Sequence, residues 1–213
     1  SLLRAEGLSV TTALFDVTDA DAVAQGIQAL ETAGALDILV NNAGIQIRGP
    51  LHEFAHSDWH TLMKTNLDSA FLVGQAVARH MISRGRGKII NIGSMTSIFG
   101  ASFAAPYGAS KGAVVMMTRQ FAVMYGGRGV RVNAICPGWI KTEMDEADQG
   151  SGAYSDADIV NRVPMGRFAK PEDVASAIAF LAQEGSFING VSLPVDGGWV
   201  ADASWDALRL KKR

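Results

Sequence analysis

The chain has 213 residues, 48% of them hydrophobic and 19% charged, which suits one folded domain with a sizeable core rather than a fibrous or disordered polypeptide. A net charge of −2, with only the terminal "RLKKR" forming a basic run, leaves no electrostatic footprint for nucleic acid. No stretch is long and apolar enough to span a bilayer, the first ten residues have no signal-peptide layout, and the single cysteine, Cys136, excludes a disulfide framework and points to a reducing cytoplasm.

Taken in chain order, short apolar runs alternate with longer helical patterns. "LSVTTALFDV" (8–17) predicts a strand and 18–34 a helix, with Thr18 and Asp21 spaced as a capping box. "LDILVNNAG" (36–44) is the next strand, ending in paired Asn and Gly; 57–85 follows as one long helix capped by Ser57. "GKIINIGS" (87–94) predicts a strand, 106–127 a helix, and "VRVNAICPG" (130–138) a strand in which Cys136 reads as a small buried hydrophobe. A polar loop is expected from 139 to about 154. Pro171 and two acids open a helix over 170–185, and "GVSLPVDGG" (190–198) closes the series as a strand. Such alternation, with near-continuous apolar strands, specifies an α/β fold: a doubly wound, Rossmann-like parallel sheet covered by helices on both faces, in one domain over residues 1–213.

In such sheets ligands bind beyond the carboxyl ends of the strands. Four successive strand ends here carry polar or glycine-rich signals, at Asp16, at 41–44, at Ser94 and at 137–138. Within "APYGASKGAV", Tyr107 and Lys111 stand four apart and share a helix face. A close ammonium stabilises phenolate and lowers a phenol's pKa, by about 1–3 units for a close pair, which makes tyrosine a usable general acid and base. A half-buried tyrosine with a lysine lying along it would give the same pattern from the pair alone. Ser94 adds a hydroxyl at the same rim, placed to bind a substrate oxygen while tyrosine moves the proton.

These residues resemble the short-chain dehydrogenases/reductases, and the resemblance covers essentially the whole chain. Ser94 lies thirteen residues before Tyr107 in "YGASK"; "LVNNAG", the Asn of "KTNLDSAF", "PGWIKTEM" and "INGVSLPVDGG" follow in the family's order and spacing. The resemblance implies an NAD- or NADP-dependent oxidoreductase acting on a small-molecule secondary alcohol or ketone. It makes Tyr107 the acid/base, Lys111 the group that lowers its pKa and holds the nicotinamide ribose, Ser94 the substrate-oxygen anchor, and Asn66 the holder of a relay water. It also implies that Asp16 and Val17 contact adenine, that Asn42, Ala43 and Gly44 floor the adenosine ribose, and that Pro137, Gly138, Ile140 and Thr142 line the nicotinamide side. For Asn42, bracing the sheet is an equal alternative. Dimers or tetramers through helices 57–85 and 106–127, with the last strand joining a tetramer contact, are implied as well.

The family's opening strand, glycine-rich TGxxxGxG turn and helix are not in this sequence, so the expectation is a partial record of a longer protein lacking its first β-α-β unit. The strand at 8–17 would then stand without neighbours and leave an apolar edge on the sheet. "NNAGIQIR", "INIGSMTS", "KTEM" and Gly166–Arg167 are similar to gluconate 5-dehydrogenase-type members, which interconvert a sugar acid and its keto form. Arg48 is a candidate anchor for a substrate carboxylate, with a solvated loop arginine as the alternative. Trp139, Glu143 and Met144 are candidates to line the pocket. His52, His56 and His60 have i,i+4 spacing, but no cysteine or HExxH pattern accompanies them as metal ligands. A competing reading is a catalytically silent member of the fold that serves as an oligomerisation or binding module.

Overall fold

The computed structural model describes residues 5–102, 104–141 and 154–204. Four strands pair in parallel in the order of the chain: β1 (Ile38–Asn41), β2 (Gly87–Ile92), β3 (Val130–Pro137) and β4 (Ser192–Val195). Their register sets Asn41 beside Asn91, Asn91 beside Ala134, and Ala134 beside Ser192. The carboxyl ends of all four strands therefore meet at one rim, which is where a parallel sheet presents its ligands.

Strand side chains alternate between the faces, and each face has its own core. Ile89, Val130 and Val132 pack with Val23 and Ile27 of helix α1 (Ala20–Ala33), Val73, Val77 and Met81 of α3 (Ser69–Ser83) and Phe121 of α4 (Ala105–Gly126). On the opposite face Ile90 and Ile135 pack with Val174 and Leu181 of α6 (Pro171–Ala182). The sheet is thus covered on both sides, and the expected doubly wound, Rossmann-like architecture is present.

Several elements differ from the sequence reading. The expected strand at 8–17 does not form: residues 8–16 pair with no strand among the described residues, and Leu14 is 99% exposed. Apolar, β-branched residues make a strand only where a neighbour accepts their backbone hydrogen bonds. Phe15 and Val17 still pack against the first core. Correspondingly β1 is an edge, with Ile38 46% and Val40 37% exposed.

Thr18 does not cap α1. Its backbone N–H and hydroxyl both donate to Asp16 Oδ1 at 2.8 Å, and Asp19 caps the helix by accepting from the backbone N–H groups of Asp21 and Ala22. The long helix expected from Ser57 begins instead at His56 as α2 (His56–Met63), so His56 and His60 share that helix, while His52 lies in a preceding 3-10 turn and pairs with Glu53. Between α2 and α3 the chain makes one π-helical turn, Lys64–Asp68. Such widened turns mark functional positions in helices, and Asn66 sits inside this one. Most of the expected loop 139–154 lies outside the described residues; beyond it comes a short helix absent from the sequence expectation, α5 (Asp156–Arg162), which opens where Asp158 Oδ2 accepts from the Ser155 backbone N–H and hydroxyl.

Candidate active site

β2 ends at Ile92 and delivers Ser94 to the rim as the N-cap of a 3-10 turn, Met95–Ser97. Ser94 Oγ accepts from the Thr96 backbone N–H at 3.1 Å and from Thr96 Oγ1 at 2.9 Å. With both acceptor positions used, its own proton is left to donate outwards. The Ser94 side chain also favours the ionised form of the Tyr107 phenol, which places the two groups side by side at the rim. Thr96, which holds Ser94 in this posture, was not singled out by sequence.

Tyr107 is on the first turn of α4, and Lys111 one turn later is 5% exposed. Lys111 Nζ donates to the Ile92 carbonyl at 2.8 Å and lies 5.8 Å from the Tyr107 ring centroid. Its burial pushes the ammonium down to about 8, against a smaller opposing effect of Cys136. The expectation that Lys111 lowers the phenol pKa needs correction. Burial pushes Tyr107 above its ordinary value of 10, and the groups that pull it back are the Ser94 hydrogen bond and the Arg48 charge.

Asn66 is 1% exposed and closes the cluster from the π-helical turn. Its Oδ1 accepts from the Ile45 backbone N–H at 2.8 Å, and its Nδ2 donates to the Ile45 carbonyl at 3.0 Å and to Ser110 Oγ at 3.1 Å. Gly44 lies close against the cluster: a Cβ on it would lie 3.3 Å from Asn66 Oδ1, a tight approach, and 3.4 Å from Lys111 Nζ, an ordinary contact. The structure therefore brings Ser94, Tyr107, Lys111, Asn66 and Gly44 together. Asn42 and Ala43 are exposed beside them. The sheet-bracing role considered for Asn42 falls to its neighbour Asn41, whose Nδ2 donates to the Ala70 carbonyl and to Asn91 Oδ1, while Asn91 Nδ2 donates to Thr118 Oγ1 on α4.

Asp16 is exposed at the end of the unpaired segment, and its carboxyl is held below the usual range chiefly by the Thr18 hydrogen bonds. Pro137 is buried at the end of β3, and Gly138 follows where β3 and β4 approach so closely that a Cβ would sit 2.7 Å from Asp196 Cα. Ile140 forms an isolated parallel bridge with Ala169. Thr142, Glu143 and Met144 lie outside the described residues. Arg48 is half-buried beside Gln46, whose amide satisfies Nε and Nη2 only with its oxygen turned towards them, at 2.6 Å and 3.1 Å, and its guanidinium lies 5.9 Å from the Tyr154 ring centroid. Tyr154 in turn packs edge-on against Trp139, with centroids 5.2 Å apart.

A family model described as Enoyl-(Acyl carrier protein) reductase matches residues 3–200. A gluconate 5-dehydrogenase of Gluconobacter oxydans is 49% identical over 197 residues, 92% of this chain and 77% of its own length. The chain belongs to the short-chain dehydrogenase/reductase family. A 5-keto-D-gluconate 5-reductase of Escherichia coli K12 is 42% identical over 198 residues, 92% of this chain and 78% of its own. Among solved structures, a gluconate 5-dehydrogenase from Burkholderia cenocepacia in complex with NADP and tartrate superposes with a TM-score of 0.90 at 44% identity, covering 94% of this chain and 79% of that one. The protein is accordingly an NAD(P)-dependent oxidoreductase of CH–OH groups.

The site fits one end of that cofactor. Gly44 keeps the space beside the Lys111 ammonium and Asn66 clear of side-chain atoms, as a ribose hydroxyl would require. Among the described residues no glycine-rich turn leads straight from a strand into an α-helix, the element that holds a dinucleotide pyrophosphate.

Proposed function

We propose that the protein interconverts a hydroxy sugar acid and its keto form, of the gluconate and 5-ketogluconate class named for its relatives. The observation carrying this reading is the Arg48 guanidinium, which lies 5.9 Å from the Tyr154 ring centroid and whose positive charge helps to lower the Tyr107 pKa against the effect of burial. A sugar acid offers both groups such a pair recognises, a carboxylate for the arginine and a carbinol or carbonyl oxygen for the tyrosine. Trp139 packs against Tyr154, the ring over which Arg48 lies.

The nicotinamide, when bound, accepts or supplies the hydride. In reduction Tyr107 gives its proton to the carbonyl oxygen while the outward-pointing Ser94 hydroxyl steadies that oxygen; in oxidation Tyr107 takes the proton back. With its pKa raised by burial, the phenol holds its proton at neutral pH and enters the reduction as the proton donor. Lys111 holds the ribose beside Gly44, and Asn66 marks the path by which protons reach Lys111. Asp16 and Val17 face the adenine end, Asn42 and Ala43 with Gly44 the adenosine ribose, and Pro137, Gly138, Ile140 and Thr142 the nicotinamide side. The exposed Phe71, Met116, Val123 and Met124 on α3 and α4 support a homo-oligomer formed through those helices. Among the described residues no helix is long and apolar enough to cross a membrane, and one buried cysteine supports a cytoplasmic setting.

The test is turnover of 5-ketogluconate and of a neutral hydroxyketone with NADPH and with NADH, by the wild type and by Arg48→Gln. Losing a charge-assisted hydrogen-bonded pair of about 1.5–3 kcal/mol lowers kcat/KM for the sugar acid roughly 10- to 100-fold and leaves the neutral ketone within a few-fold. Equal losses on both substrates would remove the carboxylate anchor from the mechanism.

A further inference from the structure

Ser110 touches neither the phenol nor the ammonium, yet it is 0% exposed in the middle of the cluster. A serine inside a helix often turns its hydroxyl back to a carbonyl of the preceding turn, and Ser110 Oγ does donate to the Tyr107 carbonyl at 2.8 Å. What sets it apart is the second bond. The same oxygen accepts from Asn66 Nδ2 at 3.1 Å, across from the π-helical turn. One hydroxyl thus ties the side chain of Asn66 to the backbone of the residue that bears the phenol.

The remaining contacts show why that tie is needed. The start of α4 has no side-chain cap at Ala104, so the turn carrying Tyr107 is tied to its surroundings by side chains further along, Ser110 among them. Asn66 is oriented by its two bonds to Ile45, which belong to the loop after β1 and not to α4. Asn66 Oδ1 and Lys111 Nζ both border the space at Gly44, one from the π-helical turn and one from α4. Their spacing across that space depends on how firmly the two elements are joined, and the Ser110 bond joins them within one residue of Lys111.

We propose that Ser110 is a positioning residue, which sets the Asn66 amide against the Tyr107–Lys111 turn and so keeps the proton path in register with the acid/base. This rests on the dehydrogenase reading given above. Ser110→Ala removes the tie and leaves both Ile45 bonds in place. Its kcat falls about tenfold with the KM values for substrate and cofactor little changed, since the lost hydrogen bond touches neither ligand. The Asn66→Ala/Ser110→Ala double variant turns over no more slowly than Asn66→Ala, because the serine acts through the asparagine. A separate readout needs no turnover. In the wild type the Asn66 side-chain NH2 protons exchange slowly with water by NMR, and in Ser110→Ala they exchange at least about tenfold faster.

An unchanged kcat, or losses that simply multiply in the double variant, would overturn the proposal. If the wild type reduces none of the ketones, the sugar-acid reading fails by itself, and unchanged Asn66 exchange in Ser110→Ala then overturns the positioning role independently. Should Ser110→Ala not fold, Ser110→Cys keeps the shape with a weaker hydrogen-bonding group, and the same exchange measurement applies to it.

Discussion

The two ends of the β1 neighbourhood differ in how their polar and apolar groups are partnered. Where β1 faces β2 and the helices, every polar side chain named above is interlocked: Asn41 with Asn91, Asn91 with Thr118, Asn66 with Ile45 and Ser110. On its other side Ile38 and Val40 are exposed, and the segment holding Leu14 pairs with no strand among the described residues. The chemistry sits wholly on the interlocked side. Buried polar groups with full sets of partners specify one arrangement, because each alternative leaves a donor or acceptor unsatisfied. Exposed apolar residues exert no such control.

The contrast can be broken most sharply at Asn91, 1% exposed between Asn41 and Thr118. Asn91→Ala strands the Asn41 donor and opens a small cavity, and a loss of about 2–3 kcal/mol in a urea titration is expected. A loss below about 1 kcal/mol would mean that the network is dispensable.

A second test uses the pH dependence of stability. Folding lowers the Lys111 pKa from 10.5 to about 8, so below pH 8 both states hold the proton and the folded state bears the full cost of a buried ammonium. Between about 8 and 10.5 the folded state releases its proton first, and the Lys111 contribution to stability rises with pH. Lys111→Met is therefore at least as stable as the wild type at pH 7, and its advantage shrinks as the pH is taken towards 10. An advantage that grows with pH would contradict the direction of the shift. At the exposed end, Leu14→Ser is expected to change stability by no more than about 0.5 kcal/mol, the smallest effect of the series.

The sequence carried the strands at the sheet centre because β2 and β3 have neighbours on both sides, so their apolar runs are strands in fact. It misread 8–17 for the complementary reason: a run with strand composition had no partner to pair with among the described residues. The cluster was legible through resemblance and spacing, since Ser94, Tyr107, Lys111 and Asn66 come together in the structure. Its supports were not. Thr96, Ser110 and Thr118 are small hydroxyl residues whose importance comes only from the third dimension, and nothing in their spacing separates them from filler on a small-residue helix face. Asn41 and Asn42 show the same limit. Adjacent and identical in the sequence, they part at the end of β1: Asn41 is its last residue and half-buried, Asn42 lies just beyond it and is exposed, and only the strand's end decides which one braces the sheet. The short α5 could have been found from its Ser155–Asp158 spacing, which is a capping signature preceding a polar turn.

The most direct test is Tyr107→Phe, which deletes one oxygen from the centre of the cluster. Reduction of 5-ketogluconate by the variant is followed beside a fluorescence titration with NADPH and a thermal melt. Loss of a positioned general acid costs about 10²- to 10⁴-fold in kcat, so turnover should fall at least a hundredfold while NADPH affinity and melting temperature stay near those of the wild type. Turnover within a few-fold of wild type would mean that another group moves the proton and that Tyr107 is not the acid of this reaction.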